Sequence, residues 1–228
     1  MAKTHSVSPH VLDFLRRTDT RTVSNAIEAL NVRMRNEGYV HGGARCMFPD
    51  LPRIVGRAIT ATIRASAPPI SGLCYYQRAD WWRYVASLAG AKIIVVQDLD
   101  DVPGNGAFFG EIHAQISHAL GCVGYLTNGT IRDIAAIEAL GFQCFANGAN
   151  VSHSYAHITE FGAPVLVGGL KISSGDLLHG DRNGIHSVPV GIADRLPGAE
   201  KIKAHESELI ALCRAPDFSL EKLEEALR

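Results

Sequence analysis

Three observations predict an α/β fold for this chain. Residues 91–97 (AKIIVVQ) form an unbroken apolar run that closes on Asp98, Asp100 and Asp101, as a strand covered on both faces does. Residues 124–127 form a second short apolar run that stops at Asn128-Gly129, and a helical stretch at 131–140 (IRDIAAIEAL) follows. That stretch leads through Gly141 to a third strand at 142–146. Strand, helix and strand alternating at this spacing point to layered α/β architecture.

The remaining elements follow in order. Ser8-Pro9 opens a helical pattern (Val11, Leu12, Leu15), and Thr18-Asp19-Thr20 opens a second (Val23, Ala26, Ile27, Leu30), so 8–30 is expected to hold two helices. Residues 31–52 lack periodicity and are expected to be a surface linker. The alternating, β-branched run 54–65 (IVGRAITATIRA) predicts a half-buried strand ended by Pro68-Pro69. A helix is expected within 71–90, its aromatics Tyr75, Tyr76, Trp81, Trp82 and Tyr84 serving packing more than substrate. The glycine-rich loop 103–111 leads into a helix at 112–120. Beyond it, 164–170, 176–180 and 185–190 are short β-rich runs, with Asn183-Gly184 marking a hairpin. The tail 192–228 is a helical arm broken at Pro216, suited to packing or oligomerisation. One domain over 1–228 is expected, with its core at about 50–190.

Composition narrows the function. The chain has 228 residues, 46% of them hydrophobic, enough for one main core without disulfides or a metal. Lys and Arg number 22 against 23 Asp and Glu, which gives no electrostatic reason to expect nucleic acid. Five scattered cysteines without a C-x-x-C pair read as reduced thiols. No apolar run approaches the roughly 18 residues of a membrane span, and the first thirty residues hold no apolar h-region, so export is not expected. A cytoplasmic protein is expected.

Residues 128–133 concentrate the chemistry. A helix start carries unpaired N–H groups and a positive dipole end, so Arg132 and Asp133 placed there can hold an anion and a metal side by side. Amides around Gly110 and Glu111 would complete the cradle for a small 2-oxo acid. The structural alternative is that Asp133 only favours a helix N-terminus while Arg132 pairs with a neighbouring carboxylate. His153 and His157, four apart, would share one face if helical. The H-E-x-x-H glutamate is missing, so substrate hydrogen bonding or a satisfied surface histidine is weighed against metal ligation. No G-x-S-x-G elbow and no nucleotide-binding glycine loop after the first strand occur, which argues against acyl transfer and against a methyltransferase.

Several motifs together resemble the RraA-like family. They are Gly110-Glu111-Ile112, residues 121–124, Asn128-Gly129-x-x-Arg132-Asp133, and Ser174-Gly175-Asp176-Leu177 running through Asp181-x-x-Gly184 to Val188-Pro189. Thr22-Val23-Ser24-Asn25-Ala26 and Val55-Gly56-Arg57-Ala58 extend the likeness over about residues 10–212. The family includes 4-hydroxy-4-methyl-2-oxoglutarate (HMG) aldolases, oxaloacetate decarboxylases, regulators of ribonuclease E activity and proteins mislabelled as demethylmenaquinone methyltransferases. The resemblance implies a swivelling β/β/α sandwich assembled as a homotrimer or homohexamer, with sites between subunits. It implies Mg²⁺, Mn²⁺ or another divalent metal held by Asp133 largely through water. Arg132 would bind the pyruvate-like carboxylate, Gly110, Glu111 and Ile112 would contact the same moiety, and Glu111 would orient metal-bound water. Glu206 is the nearest match to a glutamate contributed by a neighbouring subunit's C-terminal helix. The activity implied is retro-aldol cleavage of a 4-hydroxy-2-oxo acid to pyruvate, with oxaloacetate decarboxylation; the alternative is a non-catalytic, protein-binding regulator. Asn25 stands where many members carry Asp, and His179 through Gly184 replaces a plain A-D-x-D-G. Both departures, with His153 and His157, suggest a histidine-rich pocket for a more acidic or phosphorylated substrate or for proton donation.

Overall fold

Two capped helices begin the chain. Ser8 Oγ accepts the Val11 amide at the start of α1 (Pro9–Arg17), and Asp19 does the same for Thr22 at the start of α2 (Thr20–Ala29). The computed structural model describes residues 7–70 and 77–227, without the side chains of residues 199–205. Cys74, Tyr75 and Tyr76 lie outside the described residues.

The first half continues with β1 (Arg45–Cys46), β2 (Ile54–Arg64), α3 (Ala79–Ser87), β3 (Lys92–Asp98), β4 (Ala107–Phe109), α4 (Glu111–Ala119) and β5 (Cys122–Thr127). Next come β6 (Thr130–Ile131), α5 (Ile134–Ala139), β7 (Gln143–Ala146), β8 (Gly148–Ala149) and β9 (His157–Phe161). The hairpins β10 (Val165–Val167) with β11 (Leu170–Ile172), and β12 (Leu177–Asp181) with β13 (Gly184–Ser187), complete the strands. A 3₁₀ helix (Val190–Ala199), α6 (Glu200–Arg214) and α7 (Leu220–Ala226) end the chain.

The main sheet is mixed, in the order β1-β7-β5-β3-β2-β12-β13, with β9 also paired to β2. Its parallel centre, β7-β5-β3-β2, is the expected α/β layering. Alternate residues of the central strands divide between two cores. Ile54, Ala58, Ile93, Val95, Leu126 and Phe145 pack inside with the β10–β13 hairpins, while Ile59, Ile63, Ile94, Val96, Tyr125 and Cys144 pack outward with residues of α3, α4 and α5. The sheet curls around the inner core. A Cβ on Gly180 of β12 would meet the Phe145 ring of β7 at 2.7 Å, although three strands separate them in the sheet. A third cluster joins α1 and α2 to the 3₁₀ helix and Val55.

Four expectations need correction. The strand at 54–64 is buried over nearly its whole length, because the inner core covers one of its faces and the core against α3, α4 and α5 covers the other. Its polar positions are satisfied internally: Thr60 Oγ1 donates to the Ala163 carbonyl (2.7 Å), and Thr62 Oγ1 shares a 2.7 Å bond with Thr159. The 31–52 segment is no simple linker, since Val40 and His41 amides bond Ile185 and Gly168, β1 extends the sheet, and Phe48 is buried. The run 164–170 is two strands, because Gly168 and Gly169 (φ +50° and +79°) form a left-handed turn that reverses the chain. The helix expected from residue 131 begins at Ile134, since Thr130–Ile131 pairs as a strand with β4 and β8.

Candidate active site

Two strand-to-helix junctions meet because β4 and β6 run parallel, Phe109 opposite Ile131. Each strand ends just before a helix: Gly110 leads into α4, and Arg132-Asp133 leads into α5. The Arg132 amide donates to the Phe109 carbonyl (2.9 Å), locking one junction against the other. Phe109 is in turn clamped between Tyr125 (ring centroids 4.0 Å apart) and Phe142, which fixes the height of the ledge above the outer core.

Asp133 does not cap its own helix. It sits in the left-handed region (φ 57°, ψ 42°), and this turn directs its carboxylate across to α4, where Oδ2 accepts the Glu111 amide at 2.9 Å. Oδ1 receives Arg132 Nε at 3.3 Å, and the two side chains remain 31% and 34% exposed. Gly110 is required here on steric grounds, since a Cβ would lie 2.6 Å from Asp133 Oδ2 and 2.9 Å from Arg132 Cγ. The junction thus realises part of the structural alternative, in that Asp133 pairs Arg132 and caps a helix, while leaving both charged groups open to solvent. With the Glu111 amide engaged by Asp133, the Ile112 amide is the next first-turn donor that α4 itself leaves without an acceptor.

The donor set suits a hard divalent ion that keeps most of its water: one partly exposed carboxylate, with the exposed Glu111 on the adjoining turn. Among the described residues no group of three or more His, Cys, Asp or Glu side chains is placed to hold a metal. Asp133 would therefore be the main protein ligand.

The other candidates are placed differently. His153 and His157 are on no helix, and their i, i+4 spacing does not put them on one face. His153 Nδ1 meets the Ser154 carbonyl (2.9 Å) in a turn where Ser154 has positive φ, and His157 Nδ1 meets the Tyr155 carbonyl (2.7 Å) at the start of β9. A carbonyl partner requires the facing Nδ1 to carry a proton. Glu206, on α6, accepts a 2.8 Å hydrogen bond from Asn25 of its own chain. The glycine-rich loop is tied down by Asp98, whose Oδ2 accepts the Gly104 amide, and by Asn150, which donates to the Gly104 carbonyl.

His179 supplies no accessible proton. It is buried on β12 with its Nδ1 3.1 Å from Nε2 of His186 on β13, and burial pushes its pKa down to about 4. His186, also buried, is driven down by burial and by the neighbouring His179 and Arg33. The sequence reading missed His186. The cross-strand register of the hairpin, His179 opposite His186, was the one signal that could have found it.

A curled, mixed α/β sheet that presents an arginine-aspartate pair at paired strand-to-helix junctions defines the class of protein. The chain belongs to the RraA-like family, whose model (Aldolase/RraA) matches residues 20–186. A relative from Halalkalibacterium halodurans, named "Putative 4-hydroxy-4-methyl-2-oxoglutarate aldolase", is 32% identical over 103 residues, 45% of this chain and 49% of that protein. The match therefore spans about half of the relative's length. A solved structure of an uncharacterized protein from Pseudomonas syringae pv. tomato superposes with TM-score 0.75 at 21% identity, covering 99% of this chain and 97% of the other. Streptomyces coelicolor RraAS2, described as an unusual member of the RNase ES inhibitor RraA family, superposes at 0.68 and 18% identity, over 92% and 99% of the two chains. Both are similar in fold. No helix among the described residues is long and apolar enough to cross a membrane.

Proposed function

We propose that this chain is a divalent-metal-dependent carbon-carbon lyase that cleaves a 4-hydroxy-2-oxo acid of the HMG or 4-carboxy-4-hydroxy-2-oxoadipate type to pyruvate, and that it also decarboxylates oxaloacetate. The observation that carries the reading is the Arg132–Asp133 pair, held at the start of α4 yet still partly open to solvent. The named relative supports it at the level of the matched half.

Both reactions pass through the same pyruvate enolate, so one electron sink serves both. A divalent ion such as Mg²⁺ or Mn²⁺, bound at Asp133, would supply electrophilic stabilisation of that enolate. The Arg132 guanidinium binds the 2-oxo acid's carboxylate, where a planar fork suits two oxygens. The positive end of α4 and the Ile112 amide add to the attraction for the same anion. Glu111, exposed beside the ledge, is the group that orients water and moves the proton. His153 and His157 supply hydrogen bonds to the substrate. In a homotrimer or hexamer, Glu206 would be presented to a neighbouring subunit's ledge while tethered by Asn25 in its own chain.

The second reading is a non-catalytic, protein-binding regulator, favoured by the fact that both Asp133 oxygens already have partners within the chain. A coupled pyruvate assay on oxaloacetate and 4-hydroxy-2-oxo acids separates the two. The lyase reading expects turnover with Mg²⁺ that a chelator removes. No turnover on any of these substrates with Mg²⁺ or Mn²⁺ would leave the regulator as the better account.

A further inference from the structure

A cleft of about 630 Å³ opens where the end of α1, the start of α2, residues 49–53 and the β12–β13 turn come together. Four arginines line it, Arg16, Arg21, Arg53 and Arg182, against two aspartates, Asp19 and Asp181. In a chain whose formal charge is only −1, a lining with four arginines and two aspartates is a local excess of positive charge. None of these residues belongs to the Arg132–Asp133 ledge.

The two acids are occupied by the backbone. Asp181 is buried and accepts from the Thr20 amide and hydroxyl, each at 2.8 Å, and from the Asn183 amide and side chain at 2.8 and 3.1 Å. Burial opposes its ionisation, yet these bonds together hold its carboxyl below the ordinary value, so it stays charged while spending its oxygens inward. Asp19 caps α2 through Thr22 and meets Arg21 Nε at 3.4 Å.

The arginines are anchored but not exhausted. Arg53 Nη1 donates to the Arg16 and Arg17 carbonyls at the end of α1, a single nitrogen doing both. Arg182 uses Nε and Nη2 on the Pro49 carbonyl and Asp50. Arg16 uses Nη1 on the exposed Asp13. Each guanidinium has five N–H donors on three nitrogens, so every one retains further donor capacity beyond these contacts. Backbone anchoring of this kind pre-organises a planar fork and lowers the entropy lost when it grips an anion. The charge also reaches inward: after burial itself, Arg53 is among the groups that depress His179. Pro49, Leu51 and Pro52 supply an apolar rim beside the cations.

From this arrangement we infer that the cleft is a binding site for a small molecule carrying two or more phosphate groups, with room on the Leu51 side for a ring or short apolar portion. Several guanidiniums at one site match adjoining tetrahedral oxyanions, each able to accept two parallel N–H bonds. The volume is that of an ordinary small-ligand pocket.

The test is calorimetric titration of the full chain with pyrophosphate and with ADP, in EDTA so that no cation bridges the ligand to Asp133. Saturable binding that weakens steeply with added salt is expected. Arg21→Gln/Arg182→Gln, two exposed positions, should lower affinity about tenfold or more with an unchanged melting temperature. Arg132→Ala should bind both anions as the wild type does, which keeps this site distinct from the lyase ledge. Absence of binding, equal affinity in the double variant, or loss of binding in Arg132→Ala would each overturn the inference. Citrate bound as tightly as pyrophosphate would do the same, reducing the cleft to a patch of charge. A double variant that leaves anion binding intact but shifts the sedimentation coefficient would show a subunit contact instead.

Discussion

Asp98 and Asp100, at the end of β3, are almost closed to solvent, whereas Asp133, just past β6, keeps about a third of its side chain exposed. Asp98 accepts the Gly104 and Asp100 amides, and Asp100 accepts the Ala65 and Ser66 amides with the Ser66 hydroxyl. Burial raises the Asp98 carboxyl even so. Asp133 has one backbone amide and one guanidinium. Carboxylates at strand ends look alike in a sequence, yet the first pair fastens loops and only the second keeps lone pairs turned to water. What distinguishes them is the amount of backbone folded over each.

The strongest test of this contrast is removal of the ledge. Arg132→Ala and Asp133→Ala are expected to abolish metal-dependent pyruvate release, a loss of about 3–4 kcal/mol of transition-state stabilisation or more. Circular dichroism should stay native. Wild-type-like turnover in either variant in the coupled assay would sink the assignment.

Next in size is the same contrast among histidines. His179 and His186 are buried and neutral, while His153 and His157 are in turns at the surface. His179 has a folded pKa of about 4, below the ordinary unfolded value. Its stabilising contribution is therefore complete above about pH 6.5 and is lost as pH falls through the folded value, on the order of 3 kcal/mol. Melting temperature measured from pH 7 down to 4 should fall, and it should fall less in His179→Leu/His186→Leu. Identical curves for the wild type and the double variant would refute the burial argument.

Asp100→Ala should cost about 1–3 kcal/mol of stability, chiefly by stranding the buried Ala65 amide, as read in urea denaturation. Turnover per folded molecule should change less than twofold, and a selective loss of kcat would erase the distinction between the two strand ends. The smallest expected effect is Gly110→Ala, whose new Cβ must displace the Asp133 carboxylate. About tenfold in kcat/KM, or about 1.4 kcal/mol, should be lost with little change in melting temperature. An unaltered kcat/KM would mean that the exact position of Asp133 is unimportant.

Much of this was legible from the residues alone. The centre of β3, Ile93 to Val96, is apolar at four consecutive positions because the two cores cover both of its faces, and that burial is written into the sequence. The caps at Ser8 and Asp19 and the hairpin before Gly184 rest on short-range chemistry, and they form where that chemistry predicts. The Arg132-Asp133 pair could be singled out for the same reason, since a turn, a cation and a carboxylate fall within six residues.

Local chemistry could not say which helix Asp133 would serve. The left-handed turn at Asp133 and the pairing of β4 with β6, more than twenty residues apart, send its carboxylate to α4 instead of α5. Nor could spacing tell that His153 and His157 would leave a helix for carbonyl-bonded turns, that His179 would find His186 across a hairpin, or that four arginines from distant segments would line one cleft. Periodicity records which face of an element is apolar, and the sequence by itself determined that much, with the caps, the turns and the Arg-Asp pair. Which polar groups end up buried, paired or open depends on backbone bonds between segments far apart in the chain, and only the tertiary structure decided those.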